Sequence, residues 1–138
     1  MSPSLIDRLN NNDNVHVGQY TVLVVDDNPD IVKLITAYLR GGIYNILAAY
    51  DGKEAMEVIA KTKPDLMLLD IMMPNLDGFG VAQRLHDEGI TIPIIVLTAK
   101  DLDLNEQKLL EKLGVRQTIT KDIINRNLLL ESIQKQLA

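Results

Sequence analysis

Hydrophobic residues recur along the chain in two patterns that alternate, and these patterns predict strands and helices in turn. Short continuous apolar runs, such as 22–25, are typical of strands that are buried on both faces. Between such runs, apolar residues recur at helical spacing. After the predicted helix start at Asn28 and Pro29, the apolar positions are Ile31, Leu34, Ile35, Tyr38 and Leu39. The alternation predicts an α/β domain.

The predicted strands cover about 22–25, 44–49, 66–69, 94–97 and 115–120, and helices follow them from about 29, 52, 78, 104 and 126. Strands that alternate with helices through short connections form a parallel sheet with helices packed on both faces. We therefore predict a doubly wound, five-stranded parallel sheet. The strand order 2-1-3-4-5 is the one we expect, and it would make the fold flavodoxin-like.

Residues 1–19 lack this periodicity and are predicted to form a tail or linker ahead of a folded domain at 20–138. Positions 10–14 are rich in asparagine, whose side chain competes with the backbone hydrogen bonds of regular structure. The spaced apolar residues Leu5, Ile6 and Leu9 are predicted to fray rather than to dock.

Composition narrows the range of functions. The net charge is -5, aromatic residues make up 4% of the chain and no basic run is present, so nucleic-acid binding is not expected. The absence of cysteine excludes disulfides and thiolate metal sites. No apolar run reaches the roughly 20 residues of a membrane span, and residues 1–18 lack the features of a signal peptide. We therefore expect a cytoplasmic protein that does not enter the membrane.

Acidic residues follow two of the predicted strands. Asp26 and Asp27 come directly after the first strand, and Asp70 comes after the third. The carboxyl ends of parallel strands share one edge of the sheet, where ligands bind near the switch point of strand order. If strands one and three are neighbours, about 4.8 Å apart, the three aspartates crowd together and need a counter-ion. Oxygen ligands without histidine or cysteine favour a hard cation such as a partly hydrated Mg²⁺.

Two further polar residues end strands at the same edge. Thr98 follows strand four, one strand from Asp70, so a short hydroxyl is near enough to take part. Lys121 follows strand five, roughly 10 Å across the sheet from Asp70, so that only a long cationic side chain would reach the carboxylates.

This constellation, with the loop Asp70-Ile71-Met72-Met73-Pro74-Asn75-Leu76-Asp77-Gly78, resembles the receiver domain of two-component response regulators over about 20–138. The resemblance implies that Asp70 accepts a phosphoryl group from a histidine kinase, a phosphotransfer protein or a small donor, and becomes an aspartyl phosphate. It implies a signalling switch for a downstream target protein rather than an enzyme with its own substrate. Receivers also dimerise in many cases, so a homodimer is among the expected partners.

The other pocket residues have implied roles too. Mg²⁺ would be held by Asp26, Asp27 and Asp70, with the Met72 backbone carbonyl as a further ligand. Lys121 would pair with the phosphate. Thr98 would donate a hydrogen bond to the phosphate, and its movement would pull the loop after strand four.

Two positions depart from the family pattern. Where many receivers carry a switching aromatic residue three positions before the lysine, this chain has Thr118. Where a proline, often after a cis bond, usually follows the lysine, it has Asp122. A carboxylate beside Lys121 is predicted to compete with the phosphate for the ammonium group.

Other functions stay open on the sequence alone. The departures at Thr118 and Asp122 raise the alternative of a degenerate receiver that acts as an unphosphorylated scaffold, but the presence of all five pocket residues argues against it. A Mg²⁺-dependent phosphohydrolase could use Asp70 as nucleophile, although related enzymes carry a second aspartate where this chain has Met72. A flavin or nucleotide binder is disfavoured, because Asp26 and Asp27 stand where a glycine-rich phosphate loop would be needed.

Overall fold

A computed structural model describes residues 19–138, so the predicted tail at 1–19 lies almost wholly outside the described residues. Strands and helices alternate throughout. The strands are β1 (Tyr20–Val25), β2 (Tyr44–Ala49), β3 (Leu66–Asp70), β4 (Ile94–Thr98) and β5 (Val115–Thr120). The α-helices are α1 (Pro29–Leu39), α2 (Gly52–Lys61), α3 (Gly78–Asp87), α4 (Leu104–Lys112) and α5 (Arg126–Leu137), with a short 3₁₀ helix at Lys121–Ile123.

The strands form one five-stranded sheet in the order β2-β1-β3-β4-β5, and the pairs between neighbours are parallel. The predicted doubly wound, flavodoxin-like fold is therefore confirmed. Its switch point lies between β1 and β3, because the chain leaves β1 towards β2 on one side and returns to β3 on the other.

Alternate residues of the central strands supply two cores, one on each face of the sheet. Leu23 and Val25 of β1 join the core beneath α2, α3 and α4, whereas Val22 and Val24 join the core beneath α1 and α5. Burial of each such side chain stabilises the fold by about 1.5 to 3 kcal/mol, which explains the continuous apolar runs of these strands.

The buried face of α1 differs in part from the predicted stripe. Val32, Ile35 and Leu39 are buried, at the i, i+3 and i+7 positions of one helix face, whereas Leu34 is 37% exposed. The apolar residues of this helix cover a wider arc than one face, so periodicity alone does not identify the side that packs.

Among residues 19–138, no helix combines the length and apolar character needed to cross a bilayer.

Candidate functional site

Three aspartates meet at the carboxyl ends of β1 and β3. In the register of this strand pair Val25 lies opposite Leu69, so Asp26 and Asp70, the next residues, emerge side by side. One carboxylate oxygen from each of Asp26, Asp27 and Asp70 lies within 4.8 Å of the other two. Asp26 and Asp70 are only 2% and 4% exposed, whereas Asp27 is exposed. The predicted crowding of these carboxylates is thus observed, with one open side at Asp27.

Lys121 provides the cation of this cluster. Its ammonium nitrogen lies 2.7 Å from Asp26 Oδ2 and 3.5 Å from Asp70 Oδ2. The lysine starts the 3₁₀ helix directly after β5, which is separated from β3 by β4, and its long side chain crosses that distance. One ammonium group therefore faces a cluster of three carboxylates.

The environment of Asp70 raises the pKa of its carboxyl group above the ordinary value. Burial is the largest cause, and the negative charge of Asp26 adds to it. Lys121 and the backbone N–H of Met72 act in the opposite direction, because both stabilise the ionised form, and the charge of Asp27 raises the pKa further. The site thus disfavours a third negative charge unless further positive charge is supplied.

Backbone amides orient the two buried carboxylates. The N–H of Asn28 donates to Asp26 Oδ1 at 2.9 Å, just before α1 begins. The N–H of Met72 donates to Asp70 Oδ1 at 3.3 Å, from the loop between β3 and α3. The Met72 side chain itself is 60% exposed, so its contribution to the site comes from the backbone.

Thr98 lies at the end of β4 with no exposed surface, one residue beyond Leu97, which pairs with Asp70. Its hydroxyl oxygen accepts a hydrogen bond from the Lys100 backbone N–H at 3.1 Å. The Lys100 ammonium group is 2.6 Å from Glu106 Oε2, on the first turn of α4. Thr98 is therefore connected to α4 through one residue of the intervening loop.

The predicted competition of Asp122 for Lys121 is not seen as an ion pair among residues 19–138, and its effect on a bound phosphate stays a prediction. Within residues 19–138, the carboxylates that pair with the Lys121 ammonium belong to Asp26 and Asp70. The side chain of Asp122 is exposed on the 3₁₀ helix, and the described residues contain no cis peptide bond. Thr118 is also exposed, on the edge strand β5.

Glu106 belongs to the surroundings of the site but was not predicted from the sequence. With Asp27, Met72 and Lys100 it lines a cavity of about 590 Å³ beside the carboxylates. Its other carboxylate oxygen accepts from the Asp103 N–H in a capping box. An aspartate followed three residues later by a glutamate at the start of a helix was the available signal.

The carboxylate cluster fits a hard divalent cation. All three side chains offer oxygen, which is the donor that Mg²⁺ prefers, and three acids outnumber the single ammonium group of Lys121. Burial, together with the charges of Asp26 and Asp27, raises the pKa of the Asp70 carboxyl group, and a bound cation would favour its ionised form. The oxygen donors and the excess negative charge therefore both fit a bound Mg²⁺.

Comparison with known families identifies the chain. A family model described as the response regulator receiver domain matches residues 22–134. The chain belongs to this family. The resemblance seen in the sequence is confirmed: the chain is a receiver domain of the kind found in two-component response regulators.

Relatives and solved structures agree with this assignment. The receiver domain is 41% identical over 100 residues to the alkaline phosphatase synthesis transcriptional regulatory protein PhoP of Bacillus subtilis, a match that covers 72% of this chain and 41% of PhoP. It therefore spans about two fifths of the length of that relative.

Among solved structures, the Francisella response regulator 1452 receiver domain matches with a TM-score of 0.78 at 30% identity, covering 86% of this chain and 97% of that one. The BeF3-activated N-terminal receiver domain of Klebsiella pneumoniae RstA matches with a TM-score of 0.75 at 36% identity, covering 85% and 97%.

Proposed function

We propose that this receiver domain accepts a phosphoryl group on Asp70 and thereby switches its binding to a partner protein. The observation that carries the proposal is the convergence of three carboxylates and Lys121 at the switch point of the sheet. A buried carboxylate at the end of a central strand is costly for the fold, and a role as nucleophile explains its presence.

The chemistry that we propose is a transfer to one carboxylate oxygen. An oxygen of Asp70 attacks phosphorus and forms a new P–O bond, while the bond from phosphorus to the donor breaks and its electron pair leaves with the donor. The donor would be the phosphohistidine of a kinase or phosphotransfer protein, or a small acyl phosphate. Lys121, whose ammonium nitrogen lies 3.5 Å from Asp70, would pair with the phosphoryl oxygens. The cavity beside Asp27 leaves room for the donor.

We propose Mg²⁺ as the cofactor of this transfer. Asp26, Asp27 and Asp70 would hold it, with the backbone carbonyl of Met72 as a further ligand. When bound, the ion neutralises the negative charge of the phosphoryl oxygens and of the carboxylates. The remaining catalysis is positioning, which the Asn28 and Met72 amides provide by fixing the orientation of Asp26 and Asp70.

The output of the switch would pass through Thr98. A phosphoryl group on Asp70 offers this hydroxyl a new acceptor, and Lys100, whose N–H now donates to Thr98, would move with it. Lys100 is paired with Glu106, so the change would reach the start of α4. A downstream protein, or a second copy of this chain, would bind the altered face.

We propose that residues 1–19 act as a tail or linker and that residues 20–138 form the working domain. We also propose that the protein acts in the cytoplasm and binds neither nucleic acid nor membrane.

Intact-mass spectrometry after incubation with acetyl phosphate tests the proposal. With Mg²⁺ we expect the addition of one phosphoryl group, and with EDTA in place of Mg²⁺ we expect little or none. A protein that stays unmodified with acetyl phosphate and with phosphorylated kinases would instead be the scaffold that Thr118 and Asp122 suggest. Multiple turnover of a small phosphomonoester would identify a phosphohydrolase.

A further inference from the structure

The end of β2 and the turn that follows it contact both segments that carry the buried aspartates. On one side, the backbone N–H of Asp26 donates to the Ala49 carbonyl at 3.1 Å. On the other side, Asn75 Nδ2 in the β3–α3 loop donates to Asp51 Oδ2 at 3.0 Å. The segment 49–52, from the end of β2 to the start of α2, is thus attached to both halves of the carboxylate cluster, although it contributes no side chain to it.

The β3–α3 loop, residues 71–77, is packed closely at two glycines. A Cβ on Gly52 would overlap the carbonyl oxygen of Leu76, and a Cβ on Gly78 would overlap the carbonyl oxygen of Asp70. The N–H of Gly78 also donates to the Ile71 carbonyl at 3.0 Å. The ends of the loop are therefore fixed by backbone contacts, and its middle rests on the start of α2.

Asn75, in this loop, has a backbone φ of 68°. This value lies in the left-handed region, which residues other than glycine adopt uncommonly. Asparagine adopts this conformation more readily than most residues, and a surrounding contact stabilises it further. The hydrogen bond to Asp51 supplies that contact from outside the loop. The other Asp51 oxygen accepts from the Glu54 N–H at 2.7 Å and caps α2, so one carboxylate connects the loop to a helix start.

We propose that Asp51 and Asn75 are positioning residues for the phosphoryl site, and that their hydrogen bond sets the affinity of the site for Mg²⁺. The inference rests on the proposed function. The loop that the pair fixes carries Met72, whose N–H contacts Asp70 and whose carbonyl is a proposed ligand. If the loop is freed, Met72 can move away from Asp70. The site then spends less time in the arrangement that binds the metal and the donor.

Two substitutions remove the contact while sparing the local fold. Asp51→Ser keeps a side-chain oxygen for the Glu54 N–H at the N-cap of α2 but loses the acceptor of Asn75. Asn75→Gly relieves the positive φ and loses the donor. The matched control is Asn125→Ser, which changes the N-cap of α5, where Asn125 accepts from the Leu128 N–H at 2.9 Å, and which leaves the Asp51–Asn75 hydrogen bond in place.

Calorimetric titration with MgCl₂ alone gives the first readout. We expect each variant to bind Mg²⁺ about three- to tenfold more weakly, below the 10- to 100-fold typical of direct partners of metal ligands, because the pair acts through the backbone. The double variant should lose no more than the larger single loss, since both changes remove one contact. The Asn125→Ser control should bind as the wild type does.

Hydrogen exchange of the Met72 amide and the phosphorylation rate with acetyl phosphate give the second and third readouts. Both variants should exchange this amide faster and react more slowly. A lower melting temperature with unchanged Mg²⁺ affinity and unchanged exchange would overturn the inference and leave the pair a purely structural contact. If the wild type binds Mg²⁺ but takes no phosphate, the proposed function fails, while the titration and the exchange still decide the role of Asp51 and Asn75.

Discussion

The ammonium group of Lys121 lies 2.7 Å from Asp26, closer than the 3.5 Å that separates it from Asp70. Without a phosphoryl group, the lysine thus pairs chiefly with the acid that is not the proposed nucleophile. Asp70 keeps only part of this compensation, which agrees with the raised pKa of its carboxyl group. The pocket therefore carries excess negative charge, which favours the binding of a cation.

Substitution Asp70→Asn should stabilise the metal-free protein at neutral pH. It removes a buried charge next to Asp26 and Asp27 while Lys121 keeps its closer partner. We expect the free energy of unfolding to rise by about 1 to 2 kcal/mol in urea denaturation with EDTA. A decrease would show that Asp70 is well compensated and would contradict the charge imbalance.

The difference in unfolding free energy between the wild type and Asp70→Asn should depend on pH. Because the folded-state pKa of Asp70 lies above the unfolded value of about 3.9, the folded protein binds the proton more tightly. Wild-type stability is therefore reduced as pH rises through the folded-state pKa, and this cost is fully present above it. The advantage of Asp70→Asn should be largest at neutral pH and should vanish below about pH 3.9, as denaturation curves at a series of pH values would show.

The part of the fold that depends on local patterns could be predicted from the sequence. The three inner strands, β1, β3 and β4, were predicted from their apolar runs, and the predicted helix start at Asn28 agrees with the cap of α1. Strand β1 begins at Tyr20, slightly earlier than predicted, where Tyr20 packs against Tyr44 with ring centroids 6.4 Å apart. A contact with the neighbouring strand cannot be inferred from alternation within one strand.

The site residues that follow the strands were predictable for a different reason. Parallel topology brings every carboxyl end to one edge, so the convergence of Asp26 and Asp70 follows from strand order alone. Contacts between loops do not follow from strand order. The pairing of Lys100 with Glu106 and of Asp51 with Asn75 depends on how the connections fold back, which no periodic pattern encodes.

Millimolar Mg²⁺ should raise the melting temperature of the wild type, because a ligand that binds only the folded state stabilises it. At about ten times the Kd the gain would be about 1.4 kcal/mol, a few degrees for a domain of this size. The shift should be smaller in Asp26→Asn and Asp70→Asn. Asp87→Asn, at the far end of α3, serves as the control and should shift as the wild type does. Equal shifts in all four proteins would mean that Mg²⁺ binds elsewhere.

Substitution Lys121→Met should destabilise the metal-free protein, because Asp26 and Asp70 then lose their shared cation in a buried site. We expect a loss of about 2 to 3 kcal/mol at neutral pH, somewhat less than for a fully buried pair since the lysine is 18% exposed. Lys121→Arg, which keeps the charge, should lose less. Denaturation with and without Mg²⁺ measures both, and an Arg variant as unstable as the Met variant would argue against a charge effect.

Substitution Asp122→Ala should leave phosphorylation nearly unchanged. The Asp122 side chain is exposed, and Lys121 is already held by Asp26 and Asp70, so removing this carboxylate frees no additional ammonium. We expect the rate with acetyl phosphate to stay within about twofold of the wild type, a difference below 0.5 kcal/mol. A severalfold faster reaction would show that Asp122 does draw Lys121 away from the phosphate.

The central claim is that Asp70 carries the phosphoryl group. Its most direct test is mass spectrometry of the protein after reaction with acetyl phosphate and Mg²⁺, followed by peptide mapping of the modified residue. The account predicts one added phosphoryl group on Asp70 in the wild type and in the Asp87→Ala control, and none in Asp70→Ala. An Asp70→Ala protein that is modified to the same extent as the wild type, or a phosphate mapped to another residue, would contradict it.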